Sequence, residues 1–217
     1  MRTLVISDLH LTHHFDQRKF QLLKELLSNV DRVVLNGDFW DSYISTFEQF
    51  ITSEWTQLFS ILKSKETYYI FGNHDKEAAS DSRRELFSNY SGKSFTLPAS
   101  DKKHYFTHGD SITHATDSIF PFLTKIKAIV DAYSVFKLVG VKTLGRYFYL
   151  REVFDNAKMK KWRKDNLASD TVLFCGHTHL SEANVAEGFY NSGFIEHGHA
   201  DYILIENDLA TLYFQNY

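Results

Sequence analysis

Arg32-Val33-Val34-Leu35-Asn36-Gly37-Asp38-Phe39-Trp40-Asp41 is the stretch from which the rest of the 217-residue chain can be read. Arg32 to Leu35 is short, apolar and β-branched, the pattern of a buried strand. Gly37 permits a tight turn where that strand ends, close to whatever binds there. Asp38 then leaves the strand end with its carboxylate free, and a carboxylate has two oxygens with which to bridge two cations. Asp41 follows one short step later.

Working outward, the same design of strand and polar turn recurs. Thr3 to Ser7 runs into Asp8-Leu9-His10, and Thr67 to Phe71 into Gly72-Asn73-His74-Asp75. Lys103 to Thr107 runs into His108-Gly109-Asp110, and Thr171 to Cys175 into Gly176-His177-Thr178-His179. Between the early strands, Asp16 caps a predicted helix with Phe20, Leu23 and Leu27 on one face. A capping box at Ser45-Thr46-Phe47-Glu48 opens a second, carrying Phe47, Ile51, Trp55, Leu58 and Leu62. A polar helix is predicted from Lys76 to Phe87. Strands alternating with helices predict parallel pairing, with sites outside the carboxyl ends of the strands. Ser94 to Pro98 reads as the antiparallel partner of Lys103 to Thr107. Thr113 to Asp165 reads as helical with a break at Gly140. The tail reads as antiparallel strands at Ala183 to Ala186, Phe189 to Asn191, Asp201 to Glu206 and Leu209 to Phe214.

Hydrophobic residues at 43% and charged residues at 24% are those of a soluble globular chain. The net charge of -3 argues against a nucleic-acid partner. The single Cys175 excludes an intrachain disulfide and fits a reducing compartment. No apolar run approaches the ~18 residues of a spanning helix, and Thr3-Leu4-Val5-Ile6 is too short for a signal-peptide core. The expectation is one cytoplasmic domain over residues 1–217, with a helical insert at 113–165.

The five turns carry ligand-type groups: Asp8 with His10, Asp38 with Asp41, Asn73 with His74, His108, and His177 with His179. In Asp8-Leu9-His10 and His177-Thr178-His179 the polar groups are two apart, so extended backbone would point them the same way. Imidazole, carboxylate and amide oxygen together suit Mn, Fe or Zn better than Ca or Mg. Seven ligands exceed one tetrahedral ion and suit two divalent ions sharing a carboxylate.

These blocks, in this order, resemble the calcineurin-like metallophosphoesterases. The resemblance implies an α/β fold of two packed mixed β-sheets flanked by helices in four layers, with a helical cap insert. It implies a first metal held by Asp8, His10, Asp38 and His179, and a second by Asp38, Asn73, His108 and His177. It makes His74 the catalytic acid and Asp41 the group that orients it. Gly37-Asp38-Phe39-Trp40-Asp41, the insert after His108-Gly109-Asp110, and Asn191-Ser192-Gly193 followed by Glu196 are similar to the UDP-2,3-diacylglucosamine hydrolases. Those enzymes cleave a pyrophosphate, releasing UMP and a lipid phosphate, and their helical cap receives acyl chains. One position departs: the best-studied members carry Arg where this chain has His74, which is similar to other branches and to divergent relatives. The rival readings are a phosphodiesterase or phosphatase acting on soluble nucleotides or phosphoproteins, and a non-catalytic scaffold. The scaffold is disfavoured because no expected ligand is missing.

The insert carries eleven Lys or Arg against five Asp or Glu. A basic, aromatic-rich helical pair on an acidic body suggests an anionic partner, either a phosphorylated or lipid-nucleotide substrate or the inner membrane face touched peripherally. Arg146 and Arg151 are candidates for a substrate phosphate, and His197, in a second His-x-His, for substrate contact.

Overall fold

A computed structural model describes residues 1–113 and 127–217. The elements in order are β1 (Arg2–Ile6), α1 (Gln17–Ser28), β2 (Arg32–Asn36), α2 (Phe47–Ile51), α3 (Thr56–Ser64), β3 (Glu66–Ile70), β4 (Tyr90–Gly92), β5 (Ser94–Pro98) and β6 (Lys103–Thr107). Then come α4 (Lys127–Leu144), α5 (Val153–Asn166), β7 (Thr171–Cys175), β8 (Glu182–Asn184), β9 (Phe189–Asn191), β10 (Ile195–Glu196), β11 (His199–Glu206) and β12 (Leu209–Asn216).

Two mixed sheets face each other. In the first, β1 to β4 pair in parallel, and β11 lies antiparallel against β1, β10 and β12. In the second the order is β5-β6-β7-β9-β8, with β6, β7 and β9 parallel and both edge strands antiparallel. Alternation along the strands builds the layers. Val5, Val34, Ile70, Phe106, Phe174 and Ile203 form the core between the sheets. Their neighbours Leu4, Ile6, Val33, Leu35 and Tyr69 face outward onto Phe20, Leu23, Leu58 and Leu62 of α1 and α3. On the other side Leu173 and Cys175 pack against Met159 of α5. The result is the expected four-layer α-β-β-α arrangement, and the carboxyl ends of β1, β2, β3, β6 and β7 share one rim.

Several local expectations shift. The capping box sits one residue later, with Thr46 as cap and Gln49 as its partner, while the Ser45 hydroxyl accepts from the His13 amide at 2.9 Å. That helix stops at Ile51, where the Thr52 and Ser53 hydroxyls donate to carbonyls three and four residues back and compete with the helical ladder. The polar stretch after Lys76 buries no residue along its short helices, and it forms only 3-10 turns at Glu77–Ala79 and Ser82–Leu86. Gly140 does not break α4. It lies so close to the Phe148 ring that a Cβ would clash there, and the helix ends instead at Gly145, whose φ is +56°. Of the tail strands, β9 falls as read, β11 and β12 run two residues longer, β8 is shorter and ends at Asn184, and β4 and β10 are additional. Residues 114–126, the first part of the segment read as a helical insert, lie outside the described residues.

Candidate metal centre

The ligand turns begin where the parallel strands stop pairing. Asp8, Leu9 and His10 donate their backbone amides to Gly37 and Asp38 carbonyls at 2.9–3.1 Å, which locks the first turn onto the second. The backbone there is not extended, as the spacing had suggested. Asp8, His10, Asp38, His177 and His179 all lie at φ between 46° and 69°, the left-handed region that costs a side-chain-bearing residue energy. Among the described residues, the three others with a side chain in this region have a simpler reason: His197 sits in the two-residue turn between β10 and β11, and Asn207-Asp208 form the turn between β11 and β12. Left-handed ligands bring their side chains inward by bending the chain, and the bend requires close approach of neighbouring turns. Gly72 shows the cost: a Cβ there would overlap the Asp38 carboxylate.

The seven expected ligands converge. Asp8 Oδ1 is 3.2 Å from His179 Nε2, which is 3.4 Å from His10 Nε2. Asp38 Oδ2 lies 3.8 Å from His10 Nε2 and 3.3 Å from His108 Nε2. Asn73 Oδ1 lies 3.2 Å from His108 Nε2 and 2.9 Å from His177 Nδ1. Asp38 thus stands between an Asp8-His10-His179 group and an Asn73-His108-His177 group. Asp8 and Asp38 are fully buried. Asp8 Oδ1 finds no hydrogen-bond donor there, although a His nitrogen faces it. Lone-pair atoms pointed at one another in a buried space are what a cation cage requires. The donor set of imidazole nitrogen with carboxylate and amide oxygen suits a first-row divalent ion, so the residues present fit the metal the sequence implies. His108 Nδ1 is 2.9 Å from the Asn36 carbonyl, and donating there leaves Nε2 as the ligand nitrogen.

Charge in the cluster is strongly organised. Burial opposes ionisation of Asp8, but His179 and His108 outweigh it and hold the carboxyl below the usual range. Asp38 is held low in the same way by His108 and His74, against its own burial. Burial pushes His179 down to about 4, with Lys137 adding to the effect, which keeps the imidazole neutral. His74 Nδ1 is 3.2 Å from Asp41 Oδ2, and His10 Nδ1 is 3.5 Å from the same oxygen. Asp41 therefore faces the His10 imidazole as well as that of His74. Against the penalty of burial, these two histidines hold its carboxyl well below the ordinary range. The His74 amide donates to Asp38 Oδ1 at 2.8 Å.

The remaining candidates lie apart from these groups. The Arg146 guanidinium stacks 3.6 Å over the Phe214 ring of β12. Arg151 pairs with Glu152 at 2.7 Å on the surface. His197 occupies its hairpin turn.

Three further buried polar groups stand beside the cluster, and of these the sequence reading had drawn on Glu196 alone, as part of the resemblance to the UDP-2,3-diacylglucosamine hydrolases. Asp75 accepts the amides of Asp38, Phe39 and Gly72 at 3.1, 2.8 and 2.7 Å. Burial and the Asp38 charge push its carboxyl up to about 6. Glu196 lies 2.5 Å from Lys137 Nζ and 4.0 Å from His179 Nδ1. Lys19 on α1 donates to the Leu9 carbonyl at 2.5 Å. Apart from that motif for Glu196, the position of Asp75 immediately after Asn73-His74 was the only signal available.

Comparison with known proteins agrees with this arrangement. Residues 1–205 match the sequence model of the calcineurin-like phosphoesterases. A UDP-2,3-diacylglucosamine hydrolase of Psychromonas ingrahamii is 26% identical over 202 residues, covering 82% of this chain and 81% of that protein. Among solved structures, a single mutant of Vps29 from Entamoeba histolytica superposes with a TM-score of 0.50 at 14% identity, covering 100% of this chain and 99% of that one. YfcE, a phosphoesterase from E. coli, superposes with a TM-score of 0.50 at 15% identity, covering 97% and 91%. At these identities the two structures speak to the fold, while the match along nearly the whole sequence speaks to the family. The chain belongs to the calcineurin-like phosphoesterases and is a metal-dependent phosphoester hydrolase.

Proposed function

We propose that the chain hydrolyses a phosphoric anhydride or phosphodiester with two divalent cations, the first held by Asp8, His10, Asp38 and His179 and the second by Asp38, Asn73, His108 and His177. The observation that carries this reading is the convergence of all seven side chains around the Asp38 carboxylate. Mn is the preferred ion, with Fe or Zn as alternatives. Such ions supply Lewis acidity at phosphoryl oxygens and make water acidic enough to attack phosphorus at neutral pH.

The chain's own residues do the rest. His74 is half-buried beside the cluster, and its Nδ1 faces Asp41. That contact orients the ring and leaves Nε2 to carry a proton to the leaving oxygen as its bond to phosphorus breaks.

The preferred substrate is a nucleotide-linked pyrophosphate with an apolar group, by analogy with the UDP-2,3-diacylglucosamine hydrolase of similar sequence. Support comes from the segment between β6 and β7, read as an insert that caps the site. Its Tyr149 ring lies 4.8 Å from the His179 ring. Outward it exposes Phe136, Val139, Leu144, Tyr147, Leu150 and Phe154, a surface suited to an apolar tail or an anionic bilayer interface.

Two measurements test the reading. Asp38→Ala should lose both ions and the hydrolysis of an aryl phosphate ester; unchanged metal content by elemental analysis would refute the shared ligand. Product analysis of Mn-loaded protein on phosphomonoesters, cyclic nucleotides and nucleotide sugars should show cleavage at a pyrophosphate. Turnover confined to phosphomonoesters would refute that substrate class.

A further inference from the structure

The helical segment between β6 and β7 does more than overhang the site. Asn156, on α5, is fully buried and uses its whole hydrogen-bonding capacity at the base of the last ligand turn. Its Oδ1 accepts from Thr178 Oγ1 at 2.9 Å and from Asn191 Nδ2 at 3.2 Å. Its Nδ2 donates to the Leu180 carbonyl and to Glu182 Oε2, both at 3.0 Å. Thr178 stands between His177 and His179, the two residues whose left-handed backbone aims their rings into the cluster. Asn191 closes the network, donating to the Gly176 carbonyl at 2.8 Å and to Thr178 Oγ1 at 2.9 Å. Residues on both sides of the histidine pair are thereby tied to one amide group on a distant helix.

Left-handed residues with side chains persist only where their surroundings over-determine them. Around His177 and His179 the surroundings are this network together with Asp8 Oδ2, which accepts the His177 amide at 3.0 Å. Without the Asn156 oxygen, the Thr178 hydroxyl is buried without its acceptor, and the turn gains by relaxing toward ordinary backbone angles. Relaxation rotates both imidazoles, one from each ligand group.

We infer that Asn156 is a positioning residue for the metal centre: through Thr178 it holds His177 and His179 in ligating orientation, so the helical segment is part of the metal site's outer support. The inference rests on the reading of His177 and His179 as metal ligands, and it makes removal of the segment fatal to metal binding as well as to substrate selection.

The test is Mn titration of metal-stripped, folded protein, read by calorimetry or by the Mn spin-resonance signal, with thermal unfolding measured in parallel. Asn156→Ala and Thr178→Val should each weaken Mn binding by about 10–100-fold, the usual effect of losing an outer-shell partner. The double variant should be no weaker than the worse single one, because both remove one interaction. Thr178→Ser, which keeps the hydroxyl, should restore affinity. Trp162→Ala is the control: it removes the stacking of α5 on Tyr105 without touching the turn, so it should lower the unfolding temperature and leave Mn affinity within about threefold. If Asn156→Ala fails to fold, Thr178→Val carries the test alone. Wild-type affinity in Thr178→Val would overturn the inference. Weakening by Trp162→Ala equal to that by Asn156→Ala would also overturn it, by showing only loss of helix docking. Absence of Mn binding in the wild type would instead overturn the metal-centre reading on which it rests.

Discussion

Replacing Asp75 with Ala should destabilise the protein and loosen its metal centre together. The Asp75 carboxylate accepts three buried amides, those of Asp38, Phe39 and Gly72. Hydrogen bonds to a charged group contribute about 1.5–3 kcal/mol each, so removing the acceptor forfeits roughly 5–9 kcal/mol. Part of this is offset. Folding raises the carboxyl from 3.8 to about 6, so keeping it ionised at neutral pH costs about 3 kcal/mol, which Ala relieves. The net loss is about 2–6 kcal/mol, and at about 2–4 °C per kcal/mol for a chain of this size the unfolding temperature should drop by roughly 4–24 °C. Asp75→Asn should fall between, because one amide oxygen accepts at most two of the three N–H groups and the new NH2 opposes the third. Thermal unfolding by circular dichroism, with Mn titration of the same samples, reads both effects. The Asp38 amide is one of the three donors, so Mn affinity should fall with stability. A shift under 2 °C in Asp75→Ala with unchanged Mn affinity would refute the bracing role.

His74→Ala should lower turnover by roughly 10²–10⁴ while metal stays bound, and the loss should shrink for leaving groups that need no proton; equal losses for good and poor leaving groups would argue against the acid role. Lys19 gives a pH signature. Burial pushes its amine down to about 8 against the pull of Glu196 and Asp16, whereas the unfolded chain titrates near ~10.4. Between these values the unfolded state binds more protons, so stability rises with pH across that window, and below about 8 the charged amine carries a constant penalty. Urea midpoints at pH 7 and 9.5 should therefore rise more in the wild type than in Lys19→Met, and parallel behaviour of the two proteins would exclude this titration.

The parts legible in sequence were those written locally. Strand alternation in Leu4-Val5-Ile6 or Val172-Leu173-Phe174 announces burial on both faces, and the strand-end turns announce their ligands because each ligand sits beside its own glycine or strand. Helix boundaries were less legible. Thr46 and Ser45 are equally good caps by composition, and only the choice of Gln49 over Glu48 as partner separates them. The supporting shell was not legible at all. Asp75 and Asp38 are 37 residues apart, and Asn156 meets Thr178 across 22. An acidic or amide side chain reads as surface by default, since burial without a partner is prohibitive. The partners here are backbone amides for Asp75, and for Asn156 a hydroxyl, a carbonyl and two side chains distant in sequence, which leave no trace in composition or periodicity.

Four of the buried polar residues outside the ligand set share one physical task. Five left-handed ligands at roughly 1–3 kcal/mol each store an amount of strain comparable with the whole stability of an ordinary domain. Apolar packing cannot hold such turns, because their exposed backbone groups still need partners. Each turn therefore receives a polar brace from elsewhere in the chain. Lys19 takes the carbonyl of Leu9, between Asp8 and His10. Asp75 takes the amides around Asp38 and Gly72. Asn36 takes the outer nitrogen of His108. Asn156 takes the hydroxyl between His177 and His179. The braces come from α1, the β3 turn, β2 and α5, so elements on both outer layers and between them converge on one rim. On the proposed reading, a cation bound there would draw on strain already met by folding, and its ligands would not need to reorganise to receive it. The same logic bears on the tie between the helical segment after β6 and the last turn through Asn156: on the proposed reading, a cap that also secures two metal ligands would not drift from its site without loosening the metal.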